Sequence, residues 1–477
     1  MAAAMPSTAR VHLIGICGAG MATLAALLKK KGLEVRGSDQ DVYPPMSDFL
    51  AEEGIPVMGG YAADHIRGDL DLGVVGNAIS RGNVELEEVL DRGLRYCSLP
   101  EALRDTFLWE ARAIVVAGTH GKTTTTSMIA WTLTDGGRDP SMFVGGIARN
   151  FGKEGSSYRL GKGTDFVIEG DEYDSAFFDK TAKFLKYLPK IAVINNVEFD
   201  HADIYADYDA VALAFRRLVT LVPRRGLLLV GGDSAGAREA AARAVSRVET
   251  FGTSEGLDWQ ATRIEPQGGA TRFHVMRGGA PFGEFEVPLL GTHNVRNALA
   301  SIAVATDVGL PPQAIVAALR SFAGVKRRLE VVGTAHGVTV FDDFAHHPTA
   351  IAETLAGLRA SNATARIWAV FEPRSASSCR RVFQDDFARA FDAADQVLIA
   401  PVFRSALPEP ERLSVPQLAR DVSSRGSPAR AAASIDAIVQ IIIEEHRPHD
   451  LVVIMSNGAF GGIHGKLLSA LSSLRAR

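Results

Sequence analysis

At 477 residues the chain is too long for one ordinary domain, and two to four are expected, each burying its own core. The 47% hydrophobic and 22% charged residues are the proportions of a soluble globular protein, and 51 Lys plus Arg nearly balance 55 Asp plus Glu, for a net charge of -4. That balance supplies no basic field for gathering nucleic acid or an anionic membrane, so neither is expected as a partner.

The stretch "MAAAMPSTARVHLIGICGAG" carries one Arg before an apolar run too short for a signal peptide. No segment reaches the roughly 18 apolar residues needed to span a bilayer, so a cytoplasmic location is expected. Cys17, Cys97 and Cys379 lie far apart without a Cys-x-x-Cys pair, which points to reduced thiols rather than zinc or redox work.

Short Val/Ile/Leu runs alternate with amphipathic stretches of helical length, the pattern of βαβ units and parallel sheets covered on both faces. Three blocks are expected, 1–108, 109–326 and 327–477. In the first, "VHLIGICG" runs into a glycine turn and "EVRGSD" ends on Asp39. Gly15, Gly18 and Gly20 fit G-x-x-G-x-G rather than the dinucleotide form G-x-G-x-x-G, so a nicotinamide reading is weak; any diphosphate could sit there.

The second block opens on "VVAGTHGKTTTT" (Val115 to Thr126), a phosphate loop clipped by two residues: Thr119 and His120 alone separate Gly118 from Gly121-Lys122-Thr123. Backbone N–H groups at a helix start point at an anion, Lys122 adds a positive charge for β/γ-phosphates, and Thr123 can reach magnesium. A plain strand-to-helix turn has no reason to carry Lys-Thr there, so ATP is expected. "DFVIEGDEYD" places Glu169, Asp171, Glu172 and Asp174 beyond one apolar strand, and "IAVINNVEFDHAD" places Asn195, Asn196, Glu198, Asp200, His201 and Asp203 beyond another. In an open α/β sheet ligands lie past the carboxyl ends of strands, so both clusters should face the triphosphate and offer hard oxygen ligands to Mg2+. Trp259 to Pro288 reads as antiparallel strands broken by Gly pairs and inserted in this block. In "GTHNVRNALASIAVA", His293, Asn294 and Asn297 open a helix; the asparagines either cap it or pair with an adenine edge.

The third block begins with "LEVVGTAHGVTVFDDF", whose alternation suggests a strand pair, and returns to α/β. "VFDDFAHHPTAI" carries Asp342, Asp343, His346 and His347; adjacent histidines rarely ligate one ion together, which argues against zinc on that pair. In "FEPRSAS", Arg374 offers a planar fork for a carboxylate or serves as a surface ion-pair partner. "VIMSNGAFGGIHGK" supplies Ser456, Asn457 and His464 beyond the last apolar strand, and "SSRGSPARAAAS" (Ser423 to Ser434) reads as a surface loop or helix edge.

"GTHGKTTTT", "EGDEYD", "NNVEFDHAD", "GTHNVRNA", "RRLE" and "FDDFAHHPTAI" lie in the order and spacing of the Mur ligases, the ATP-dependent amide-forming enzymes of peptidoglycan synthesis, which the chain resembles along essentially its whole length. The resemblance implies an α/β protein of three domains: Rossmann-like N-terminal, P-loop ATPase-like central with a parallel sheet and a small antiparallel insertion, and Rossmann-like C-terminal. Within the family the chain is similar to the branch that acts on UDP-N-acetylmuramate. "DVYPPMS", "EYDSAFFDK", "FEPRS" and "MSNGAFGGIHGK" resemble members that add the tripeptide L-alanyl-γ-D-glutamyl-meso-diaminopimelate, with addition of L-alanine as the alternative.

The same resemblance assigns residues. Lys122, Glu169 and His201 would be catalytic; Thr123 and Glu169 would hold one magnesium and His201 the second. Gly118, Thr119, His120, Gly121, Lys122, Thr123 and Thr124 would cradle ATP, Asn294 and Asn297 would read adenine, Arg328 would touch phosphate and Asp343 the ribose. Gly15, Gly18, Gly20, Asp39 and Asn77 would hold the UDP-sugar; Arg374, Ser456, Asn457 and His347 would meet the peptide. Other branches carry a carbamylated lysine where Phe215 stands, which puts that mechanism in doubt here. The implied state is a monomer or weak homodimer. Two rivals from other classes are a nicotinamide-dependent oxidoreductase, which leaves Lys122-Thr123 unexplained, and an ATP-binding regulatory module without turnover.

Overall fold

A computed structural model describes residues 8–403 and 407–474; the outermost limits expected for the first and third blocks, residues 1 and 477, lie outside the described residues. Residues 10–98 form a five-stranded parallel sheet in the spatial order Val57–Gly59, Glu34–Asp39, Arg10–Ile14, Leu72–Val75, Tyr96–Ser98. The order reverses beside Arg10–Ile14, so the glycine turn after that strand opens at the switch point where such sheets bind ligands.

The central sheet has ten strands. Its parallel middle holds Ser141–Ala148, Asp165–Glu169, Arg112–Ala117, Ile191–Ile194, Leu227–Gly231 and Arg247–Gly252 side by side, with the inner four strands nearly all buried. The antiparallel strands expected within this block are present and extend this sheet: Trp259–Gln267 pairs parallel to Arg247–Gly252, then Ala270–Arg277 and Ala280–Val287 follow antiparallel. Gly268-Gly269 and Gly278-Gly279 turn these hairpins with positive φ at both positions, the backbone a two-residue turn of the right twist demands. Helices Lys122–Asp135 and Thr292–Asp307 cover one face and Tyr208–Leu221 the other.

The C-terminal sheet runs Glu330–Ala335, Val338–Asp343, Leu451–Met455, Ile367–Phe371, Gln396–Ile399, Ala429–Ala431, with only the first pair antiparallel, as the alternation of "LEVVGTAHGVTVFDDF" suggests. "SSRGSPARAAAS" spans a helix end, a turn and the short edge strand Ala429–Ala431, so it is in part regular structure. One apolar core runs without interruption from the N-terminal sheet through Leu99, Leu103 and Leu108 to Phe143, Tyr158 and Phe166 of the central domain. Phe215 belongs to it, its ring tilted against Phe184 with centroids 5.4 Å apart, and does not line the main cavity. Among the described residues no helix is long and apolar enough to cross a membrane.

Candidate functional site

A cavity of about 770 Å³ opens where the carboxyl ends of the central strands face the C-terminal domain. Strand Arg112–Ala117 delivers the phosphate loop to its floor and helix Lys122–Asp135 leaves from it. Gly118 and Gly121 sit at φ 139 and 78. A Cβ on Gly118 would stand 3.0–3.1 Å from Asn195 and the Asn196 amide, and one on Gly121 would meet Asn297 Oδ1 at 2.7 Å, so both positions exclude a side chain. The cradle has the form an anion requires.

Lys122 Nζ donates to Gly118 O (2.8 Å), Thr119 O (3.3 Å) and Glu172 Oε1 (2.8 Å). Burial alone would pull this ammonium down; the Glu172 charge overrides it and holds the group above the ordinary lysine value. The same Glu172 oxygen lies 2.9 Å from His201 Nε2. Burial likewise opposes charge on His201, and Glu172 with Asp200 reverses it, raising the imidazole pKa. Glu172 itself is lowered, because Lys122 and His201 outweigh its burial.

Thr123 Oγ1 donates to Glu169 Oε1 at 3.1 Å, and Glu169 Oε2 accepts Gly145 N–H at 2.7 Å. Burial pushes the Glu169 acid up despite these partners, so the protein alone under-compensates its charge. Glu172 Oε2 is buried with no hydrogen-bond partner. An uncompensated carboxylate, a hydroxyl beside it and an orphaned carboxylate oxygen form the hard-oxygen environment a divalent cation fits. The oxygen donors Thr123 and Glu169 line the cavity, and so does His201, whose Nε2 is engaged with Glu172.

Asn297 Oδ1 accepts Thr125 Oγ1–H at 2.9 Å, its amide donates to Asn294 Oδ1 at 3.1 Å, and Asn294 donates to Leu290 O at 2.8 Å. The pair ties helix Thr292–Asp307 to the phosphate-loop helix while both residues line the cavity; Gly291, not an asparagine, is the helix cap. From the C-terminal domain Arg328 Nη2 reaches Thr123 Oγ1 at 3.4 Å. Asp343 accepts Leu329 N–H at 2.6 Å and Ala345 N–H at 2.7 Å, and burial raises its acid.

The structure brings Lys122, Thr123, Thr124, Glu169, His201, Asn294, Asn297, Arg328, Asp343, His347 and Asn457 to this one cavity. Asn457 Oδ1 is buried without a partner. Arg374 and Ser456 stand behind that wall: Ser456 Oγ donates to Glu372 Oε2 (2.6 Å), Arg374 Nη1 lies 3.7 Å from Glu372 Oε1, and the Arg374 guanidinium covers the Phe403 ring at 3.7 Å. His347 has both ring nitrogens engaged, capping Thr349 N and facing Phe199 O.

Gly15, Gly18, Gly20, Asp39 and Asn77 gather at the N-terminal switch point, and no residue before Thr119 lines the main cavity. Asp39 Oδ2 accepts the Cys17 amide at 2.8 Å, and Tyr61 OH lies 3.4 Å from Oδ1. Sequence reasoning passed over Tyr61, which no spacing links to the glycine turn. It named Glu172 in an acidic cluster without giving it a role, although its offset of three from Glu169 in "EGDEYD" was the available signal.

Residues 10–108 match the Mur ligase family catalytic domain, 116–305 the Mur ligase middle domain and 327–458 the Mur ligase glutamate ligase domain. The chain is 41% identical over 97% of its length, and 98% of the relative's, to the UDP-N-acetylmuramate–L-alanyl-γ-D-glutamyl-meso-2,6-diaminoheptandioate ligase of Escherichia coli K12. Identity is 37% over 93% of both chains to the UDP-N-acetylmuramate–L-alanine ligase of Paenarthrobacter aurescens. The crystal structure of a murein peptide ligase from Psychrobacter arcticus superposes with a TM-score of 0.71 at 36% identity, covering 98% of this chain and all of that one.

Proposed function

The chain belongs to the Mur ligase family, and from that premise we propose that it joins L-alanyl-γ-D-glutamyl-meso-diaminopimelate to UDP-N-acetylmuramate, using ATP. An ATP-dependent ligase of this kind forms an amide bond through an acyl phosphate. The observation that carries the reading is the meeting, in one cavity, of the Lys122 cradle, the Glu169 carboxylate and Arg328 from the opposite domain.

The muramate carboxylate attacks the γ-phosphorus of ATP, ADP leaves, and the mixed anhydride forms. The peptide amine then attacks the acyl carbon, a tetrahedral intermediate collapses, phosphate departs and the amine proton passes to solvent. Lys122 and Arg328 bring positive charge to the oxygens that gain electron density, and the loop amides fix the phosphates in line. Mg2+ held by Thr123, Glu169 and His201 would add Lewis-acid charge neutralisation. Asn294 and Asn297 serve the adenine, Asp343 the ribose, the N-terminal glycine turn with Asp39 and Asn77 the UDP-sugar, and Arg374, Ser456, Asn457 and His347 the peptide. The limits 1–108, 109–326 and 327–477, a cytoplasmic location and a monomeric or weakly dimeric state belong to the same proposal.

The greater identity to the tripeptide-adding relative supports the tripeptide over L-alanine as acceptor. A phosphate-release assay with ATP, Mg2+ and UDP-N-acetylmuramate against an amine panel decides. Turnover with the tripeptide and little with L-alanine is expected; strong turnover with L-alanine and none with the tripeptide overturns the choice.

A further inference from the structure

His120, Glu198 and His347 each bring one ligand-type atom within 4.8 Å of the others, the one such group of three among the described residues. They arrive from three segments: the phosphate loop, the loop after strand Ile191–Ile194, and the cap of helix Pro348–Ser361. His120 Nε2 lies 3.3 Å and His347 Nδ1 3.8 Å from the same oxygen, Glu198 Oε2. Tetrahedral zinc with bonds of about 2.0–2.2 Å separates its ligand atoms by roughly 3.3–3.6 Å; the two imidazole-to-carboxylate distances lie at or just beyond that range, and the two histidine nitrogens lie within 4.8 Å of each other.

The protonation pattern points the same way. Phe199 O can only accept, so the His347 Nε2 facing it at 3.2 Å carries the proton, and Nδ1, which accepts Thr349 N–H, carries the lone pair. Nδ1 and the Glu198 carboxylate oxygen stand 3.8 Å apart, so a cation between them would take the lone pair over from the Thr349 amide, which holds it only at 3.3 Å. A ring N–H donated to a backbone carbonyl is the orienting bond metal-binding histidines use, and Thr349 Oγ1 holds the carboxylate at 2.7 Å in the same supporting role.

We propose that His120, Glu198 and His347 form a binding site for a zinc-class divalent ion that ties the C-terminal domain to the central one. Two imidazoles and one carboxylate select a late first-row ion over Mg2+, which prefers oxygen throughout. The site shares no residue with the Thr123, Glu169 and His201 set; it draws His120 from the phosphate loop and takes His347 in place of the peptide role given to it above, so it stands apart from the choice of peptide or L-alanine as acceptor.

The test is zinc titration of the full nucleotide-free chain against a chromophoric chelator, in millimolar Mg2+. Glu198→Gln keeps the shape and the Thr349 bond; His347→Asn removes the imidazole but keeps a good helix cap; Glu169→Gln probes the other cation set. Wild type and Glu169→Gln are expected to hold one zinc equivalent, with affinity at least 100-fold weaker in Glu198→Gln and His347→Asn. Zinc should also raise the melting temperature of wild type but not of Glu198→Gln, which carries the test alone if His347→Asn does not fold. Absence of bound zinc in wild type, wild-type affinity in Glu198→Gln, or loss confined to Glu169→Gln each overturns the proposal.

Discussion

Glu172 shares one carboxylate oxygen between two cationic groups, Lys122 at 2.8 Å and His201 at 2.9 Å, and is 2% exposed. Glu172→Gln keeps the shape and removes the charge that orients His201. Losing such a supporting partner weakens metal affinity or activity by about 10- to 100-fold; the Mg2+ midpoint of phosphate release should rise by that factor, and an unmoved midpoint counts against this role. A second buried carboxylate acts on stability. Glu85 accepts from His12 (3.1 Å), His65 (2.7 Å) and Ser38, and although burial works to raise it, these bonds hold its acid below the ordinary 4.5. A depressed acid contributes stability above pH 4.5 that fades as pH falls through the folded-state value. Glu85→Gln should therefore cost on the order of 2 kcal/mol at neutral pH and flatten the acid limb of a melting-temperature profile. Lys122, Thr123, Glu169 and His201 were legible because chemistry demands those types at strand ends. Glu85, His12 and His65 were not, because their partnership exists only across folded distance.

At the scale of elements, the loop between strand Leu451–Met455 and helix Ile463–Ser472 sets the position of Arg374. A Cβ on Gly458 would fall 2.0–2.5 Å from Arg374 Nε, Cδ and Cζ. That side chain can move, so Gly458→Ala should fold normally while pushing the guanidinium off Phe403. Initial rates should then show KM for the peptide raised several-fold with KM for ATP unchanged; an equal rise in both would show that the loop serves closure rather than peptide. The strand runs themselves were readable from their length and apolar character. What the Gly-paired meander joins was not: its attachment to the parallel sheet rests on two residue pairs, Phe251 with Trp259 and Gly252 with Gln260, and alternation within a strand says nothing about its neighbour.

The three domains are joined unequally. N-terminal and central domains share one apolar core, whereas central and C-terminal domains meet through a largely polar set of contacts, Arg328 to Thr123, Ala202 N to Ser377 Oγ (3.2 Å) and Thr349 to Glu198, to which, among the described residues, only Phe199, stacked on Phe383, and Leu290 add apolar packing against the C-terminal core. A shared core separates only at a large hydrophobic cost, while polar contacts can be exchanged for water, so any domain movement is expected at the C-terminal domain. Arg328 is the cation that spans that gap to the phosphate loop. Charge-assisted hydrogen bonds are worth about 1.5–3 kcal/mol, so Arg328→Ala should raise KM for ATP by roughly 10- to 100-fold. ATP analogue and Mg2+ are expected to lower the radius of gyration of the wild type in solution scattering, and this variant should blunt that fall. Dissociation of UDP-N-acetylmuramate, whose proposed site lies on the other side of the apolar junction, should hardly change. A variant that kept wild-type KM for ATP and closed fully would place the phosphate contact on the central domain alone, and Arg328 would then be a structural contact of the open protein.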